Sequence, residues 1–120
     1  MSTEMMSLAA LQEELIHAIQ DLDFYGDNMK AYNKDVEFEA KVLQDILLSK
    51  YLSFGMFKDD MGQTEIFKQE YSQWLAYINK GNLITADKFH YFSGRWETDY
   101  TGTASSGFTP ELLYKYINNQ

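Results

Sequence analysis

An all-α fold, a small antiparallel bundle of three main helices plus a short C-terminal helix, is what this sequence predicts. Two observations carry that expectation. Apolar side chains recur at steps of three and four along three separate stretches, the spacing that stacks them on one helix face. Turn signals separate those stretches, while only one proline occurs in 120 residues. The composition agrees with a packed body: 45% of residues are hydrophobic, and nine Tyr, eight Phe and two Trp argue against disorder. A chain of this length is expected to form one domain, here a single acidic unit over 1–120.

The first helix is read from Ser7 to Tyr25, with Leu8, Leu11, Leu15, Ile19 and Leu22 as its inward stripe and Ala18 beside it. Glu13, Glu14, Gln20 and Asp21 fall mostly on the other side. Gly26-Asp27-Asn28 supplies the stop, because glycine tolerates positive φ and the two polar side chains cap turns.

The stretch Val36 to Phe57 organises the remainder. Val36, Ala40, Leu43, Leu47, Tyr51 and Phe54 form one stripe, and Val42, Ile46, Leu48 and Leu52 widen it. Asp45, Ser49 and Lys50 mark its exposed edge. So little of the helix is fit for water that at least two partners must cover it. Asp35, Glu37 and Glu39 come early and Lys50 and Lys58 late, the order the helix dipole favours. Gly55 ends or bends the helix, Met56 and Phe57 fold back over the bundle end, and 58–62 is a polar turn.

Thr64 caps a third helix that runs to about Lys80, its stripe made of Phe67, Tyr71, Trp74 and Ile78 and broadened by Ile66, Leu75 and Tyr77. Lys80-Gly81-Asn82 closes it. The segment 83–108 reads as irregular, aromatic at first and then rich in Ser, Thr and Gly. Within it Thr85 offers a cap for a short helix carrying Phe89 and Phe92, but Phe89, Tyr91 and Ser93 also alternate as in a strand. After the loop 101–107, Thr109 as N-cap, Pro110 at N1 and a Phe108–Leu113 staple open the final helix, docked through Leu113, Tyr116 and Ile117.

Chemistry is sparse. The absence of Cys removes disulfides, thiolate metal sites and cysteine nucleophiles. Asp21, Asp23 and Gly26 mimic the opening of a calcium loop. The register fails, since Tyr25, Met29 and Tyr32 occupy its fifth, ninth and twelfth positions. His17 and His90 belong to no His-x-x-x-His or His-Glu-x-x-His unit, and the two Glu-x-x-His units that a di-iron bundle needs are not both present. The carboxylate pairs Glu13–Glu14, Asp59–Asp60 and Glu97–Asp99 have the pattern of a solvated surface. Gly102 and Gly107 flank no phosphate-binding turn, and Ser105 and Ser106 have no activating motif. No catalytic residue, cofactor or metal ligand is therefore assigned, and the chain is not read as an enzyme.

The net charge of −8 is unevenly placed, with 12 acids against 5 bases in residues 1–60 and 6 against 5 in residues 61–120. Such a chain repels nucleic acid, and its ten bases are scattered singly. With no basic n-region at its start and no apolar run of membrane-spanning length, it is read as a soluble cytoplasmic protein without a membrane partner. The expected function is that of a small acidic protein-binding module, inhibiting or neutralising a basic partner such as a toxin or nuclease. Asp23, Asp27, Glu37, Glu39, Tyr91, Trp96 and Tyr100 are its expected interface. A homo-oligomeric structural or accessory protein is one alternative. A DNA-mimic inhibitor, using Asp21, Asp23, Asp27, Asp35, Glu37 and Glu39, is another.

Overall fold

The computed structural model describes residues 3–29, 32–52, 64–96 and 107–119, with side chains given from Leu11 onward except at 27, 28 and 48–52. It is a compact all-α bundle. Helix α1 spans Thr3–Ile19, continues as a π-helical turn over Gln20–Tyr25 and ends in a 3-10 turn at Gly26–Met29. Helices α2 (Asn33–Leu52), α3 (Glu65–Asn79) and α4 (Ala86–Arg95) follow, and the chain closes with α5, a single turn at Glu111–Leu113 extended as a π-helix over Tyr114–Asn118. No strand occurs among the described residues.

The expected N-terminal stop holds. Gly26 has φ +53° and donates its N–H to the Asp21 carbonyl, five residues back. Closing hydrogen bonds at that spacing widens the helix, so residues five apart come toward one side. Gln20 and Tyr25 are such a pair.

Helix α2 is the axis on which the other elements pack. It touches α1, α3, α4 and α5, and Val36, Phe38, Ala40, Val42, Leu43 and Ile46 are all buried. The expectation of multiple partners for α2 is met. Its ring of covering side chains is aromatic: Phe38 meets Phe89 edge-on at 5.4 Å, Trp74 stacks on Phe92 at 4.7 Å, and Phe108 lies 5.7 Å from Phe89. Each such pair adds about 0.5–1.5 kcal/mol beyond the area it buries.

Two sequence-derived expectations for α3 hold in detail. Thr64 Oγ1 accepts the Phe67 N–H at 3.0 Å, and Phe67, Tyr71, Trp74, Leu75 and Ile78 are buried. Ile66 and Tyr77 are exposed, so they do not broaden the buried face. At its end Gly81 takes φ +98° and leads the chain away.

The structure settles part of the segment expected to be irregular. Thr85 Oγ1 accepts the Lys88 N–H at 3.4 Å, and α4 buries Phe89 and Phe92. The helical alternative prevails over the strand because three-residue spacing puts both phenyl rings on α2 and α3. Residues 97–106, with Tyr100, Gly102, Ser105 and Ser106, lie outside the described residues, as do Phe54, Gly55, Met56, Phe57 and the Asp59–Asp60 pair. The side chains of Leu8, Asp27, Leu48, Ser49, Lys50, Tyr51 and Leu52 are likewise not described.

Three expectations are overturned. Leu11, Leu15 and Leu22 of α1 are 53%, 57% and 80% exposed, while Ile16 and Gln20 face inward. Asp45 is buried and accepts a hydrogen bond from the Tyr71 hydroxyl at 2.7 Å, so it is no exposed edge. Thr109 does not cap α5. Pro110 has ψ +71°, outside helical geometry, and itself occupies the N-cap position without a side-chain hydrogen bond. Of the residues expected to dock α5, Leu113 is buried, Ile117 packs at the core margin, and Tyr116 is exposed.

The two threonines therefore predict opposite outcomes. Thr64→Ala loses a cap and costs about 0.5–2 kcal/mol. Thr109→Ala, on an exposed side chain, changes stability by less than about 0.5 kcal/mol. Urea unfolding monitored by circular dichroism measures both.

Candidate functional site

The two faces of α1 hold the residues from which a site can be built. Facing α2, Glu13, His17 and Gln20 lie on successive turns, and the π turn adds Tyr25. Gln20 and Tyr25 contact Glu39 of α2, a residue 0% exposed, and His17 meets Glu37. Gln20 Nε2 donates to Glu39 Oε1 at 2.9 Å, and the Tyr25 hydroxyl lies 2.7 Å from both carboxylate oxygens. From α5, the Leu113 N–H reaches Glu39 Oε2 and the Leu112 N–H reaches the Tyr25 hydroxyl oxygen, each at 3.4 Å. Tyr25 thus takes the Leu112 amide, which lies within reach of the cap expected from Thr109, and Glu39 takes the Leu113 amide beside it.

The chain of donors extends outward from Glu39. Gln20 Nε2 also donates to the Val36 carbonyl at 3.0 Å, and two acceptors on that nitrogen fix the amide's orientation. Gln20 Oε1 then faces His17 Nδ1 at 2.7 Å, which makes Nδ1 a donor. His17 Nε2 stands 3.2 Å from Glu37 Oε2 and 3.8 Å from Glu13 Oε1. The Glu37 contact is ionic without a well-aligned hydrogen bond, and Oε2 is buried with no hydrogen-bond partner. With acceptors at both nitrogens, the metal-free ring is held as an imidazolium. Glu13 first, then Glu37, push His17 up to about 10 against the effect of burial, and His17 in turn lowers Glu13. Burial pushes Glu39 up to about 7, although the hydrogen bonds from Gln20 and Tyr25 pull it down. Tyr25 is raised far above the usual phenol range, by burial and then by Glu39.

The expected interface is only partly a surface. Asp23 is exposed. Glu37 is occupied by His17, and Glu39 is internal, so neither forms the open acidic patch anticipated for them. Trp96 is buried, its ring 5.5 Å from Phe38, and is corrected from surface to core. Tyr91 is half-buried; its hydroxyl donates to Glu70 at 2.6 Å, and the Arg95 guanidinium lies 3.7 Å from its ring centroid. Asp35 is also buried and accepts from the Ser93 hydroxyl at 2.7 Å. The acids proposed to imitate a DNA backbone therefore do not share one surface.

On the opposite side of α1, Leu11, Leu15 and Leu22 form a solvent-facing stripe with exposed Ala18 between them. Exposed Glu14 and Asp21 run along one edge, and no Lys or Arg occurs before Lys30. Sequence periodicity found the stripe and put it on the wrong side. The polar series Glu13, His17, Gln20 at steps of four and three was the available signal for the inward face. Among the described residues no helix is long and apolar enough to cross a membrane. Comparisons with protein families, curated proteins and solved structures found no match.

The raised values set the direction of pH dependence. Glu39 binds its proton more tightly folded than unfolded, so its contribution is full below about 4.5 and lost as pH rises through about 7. His17 acts the same way between about 6.5 and about 10. Stability in chelator-containing buffer is predicted to fall across both windows. Glu39→Gln removes the lower slope and His17→Gln the upper one, as read from thermal melts across pH.

Proposed function

We propose that this chain is a small acidic protein-binding module that docks a basic amphipathic helix on the outward face of α1. The exposed stripe of Leu11, Leu15, Ala18 and Leu22 is the observation that carries this reading. An aligned row at helical spacing is the complement of another helix's apolar face. Burying a leucine side chain is worth roughly 1.5–3 kcal/mol, so covering three of them supplies a binding energy that scattered surface leucines do not.

Charge chooses the partner. Glu14, Asp21 and Asp23 are exposed on an element that contains no Lys or Arg, which favours a partner whose apolar face is edged by basic side chains. A second copy of the chain would bring acidic borders toward each other. Covering a basic surface is the simplest consequence of such docking, and inhibition or neutralisation of a basic protein, of toxin or nuclease type, is the activity we infer from it.

Affinity capture from the native host, combined with light scattering on the purified chain, tests the proposal. The expected result is a monomer that captures a protein with a basic amphipathic segment. Leu15→Ser with Leu22→Ser speeds dissociation, whereas Glu14→Lys with Asp21→Lys slows association and flattens its salt dependence. Capture indifferent to both pairs contradicts the face assigned here. A dimer that the leucine variant splits assigns the stripe to self-association instead.

A further inference from the structure

We propose that Glu13, His17 and Glu37 form a binding site for a divalent first-row transition-metal ion, of the zinc class, bridging α1 to α2. One ligand atom from each residue lies within 4.8 Å of the other two. His17 Nε2 is 3.2 Å from Glu37 Oε2 and 3.8 Å from Glu13 Oε1. Ligands about 2.0–2.2 Å from a tetrahedral zinc stand roughly 3.4 Å apart. His17 Nε2 and Glu37 Oε2 already stand close to that separation, and Glu13 moves toward them to complete three corners of the tetrahedron.

Two features outside the triad prepare it for an ion. Gln20 Oε1 holds His17 Nδ1 at 2.7 Å, and Gln20 is itself anchored on the Val36 carbonyl and Glu39. That is the outer hydrogen bond by which proteins orient a ligating imidazole and leave its other nitrogen free for metal. Glu37 Oε2 is buried and accepts no well-aligned hydrogen bond, but it faces His17 Nε2 at 3.2 Å, so an ion that replaces the Nε2 proton meets this oxygen. All three side chains remain partly exposed.

The donor set selects the class of ion. Two carboxylates and a neutral imidazole cancel a dication's charge. One nitrogen and only two acidic side chains suit zinc, cobalt or manganese, whereas calcium takes six to eight oxygen ligands. The bound ion replaces the Nε2 proton of His17, which passes to solvent. The site is independent of the docking face, which lies on the other side of α1.

Chelator-treated full-length protein, titrated with zinc chloride by calorimetry and followed by the ring-nitrogen resonances of both histidines, tests the site. One zinc per chain is expected, with His17 Nε2 shifting to a metal-bound position and His90 unchanged. His17→Ala and Glu37→Gln lose stoichiometric binding, Glu13→Gln raises the Kd, and His90→Ala retains it; excess calcium chloride does not displace the zinc. If the two inner variants fail to fold, the wild-type ring resonances, Glu13→Gln and His90→Ala still decide the matter. A His17 ring that stays doubly protonated at zinc saturation, or binding unchanged by Glu13→Gln, overturns the proposal and leaves an ion pair only.

Discussion

The carboxylate of Glu39 is fully enclosed in the bundle, and the positions of the π turn that continues α1 and of α5 follow from satisfying it. A buried carboxylate without adequate partners costs several kcal/mol, and Ile16, buried on the inward face, offsets part of what the outward leucines forgo. The donors therefore take precedence at this point in the fold. Gln20 and Tyr25 come from the two ends of the π turn that continues α1, and the Leu113 amide from α5. Once Gln20 faces α2, helix geometry carries His17 and Glu13 to the same side and sends Leu11, Leu15 and Leu22 to the other.

The same device recurs along α2. Asp35 takes the Ser93 hydroxyl of α4, and Asp45 takes the Tyr71 hydroxyl of α3. Over residues 35–46 the helix is buried on most sides, and it meets its neighbours through directional hydrogen bonds as well as through Phe38, Val42 and Ile46. Apolar contact alone permits rotation and sliding; a buried acceptor fixes which donor must stand opposite. At the other end of the chain Asn118 makes a comparable clamp, accepting the Ile84 N–H at 2.8 Å and donating to the Ile84 carbonyl at 2.9 Å.

Much of this fold was legible where one kind of signal acted alone. The α3 stripe and the Thr64 cap could be read because apolar spacing and capping chemistry agree there. The Thr85 cap likewise marked α4, although aromatic alternation competed with it. Helix α1 was misread because its most regular apolar row is the outward one, and the demand that turns it over comes from Glu39, about twenty residues away in sequence. Asp45 was placed in water by its charge alone, since no local feature announces the Tyr71 hydroxyl. Thr109-Pro110 resembles a cap, but the proline's ψ moves the helix start by one residue and passes capping to Tyr25 and Glu39. Of the expected interface, Asp23 stands at the surface, while Glu39 and Trp96 were drawn inside by partners on other elements.

The orientation of α1 joins the structural and functional parts of this account, because the buried polar network and the free leucine row each require it. Solvent paramagnetic relaxation of assigned methyl groups, using a soluble gadolinium chelate, measures that orientation directly. The methyls of Leu11, Leu15 and Leu22 should relax strongly while those of Ile16, Val36 and Val42 remain protected. Protection of the three leucines in monomeric protein, with Ile16 relaxed in their place, would contradict the account.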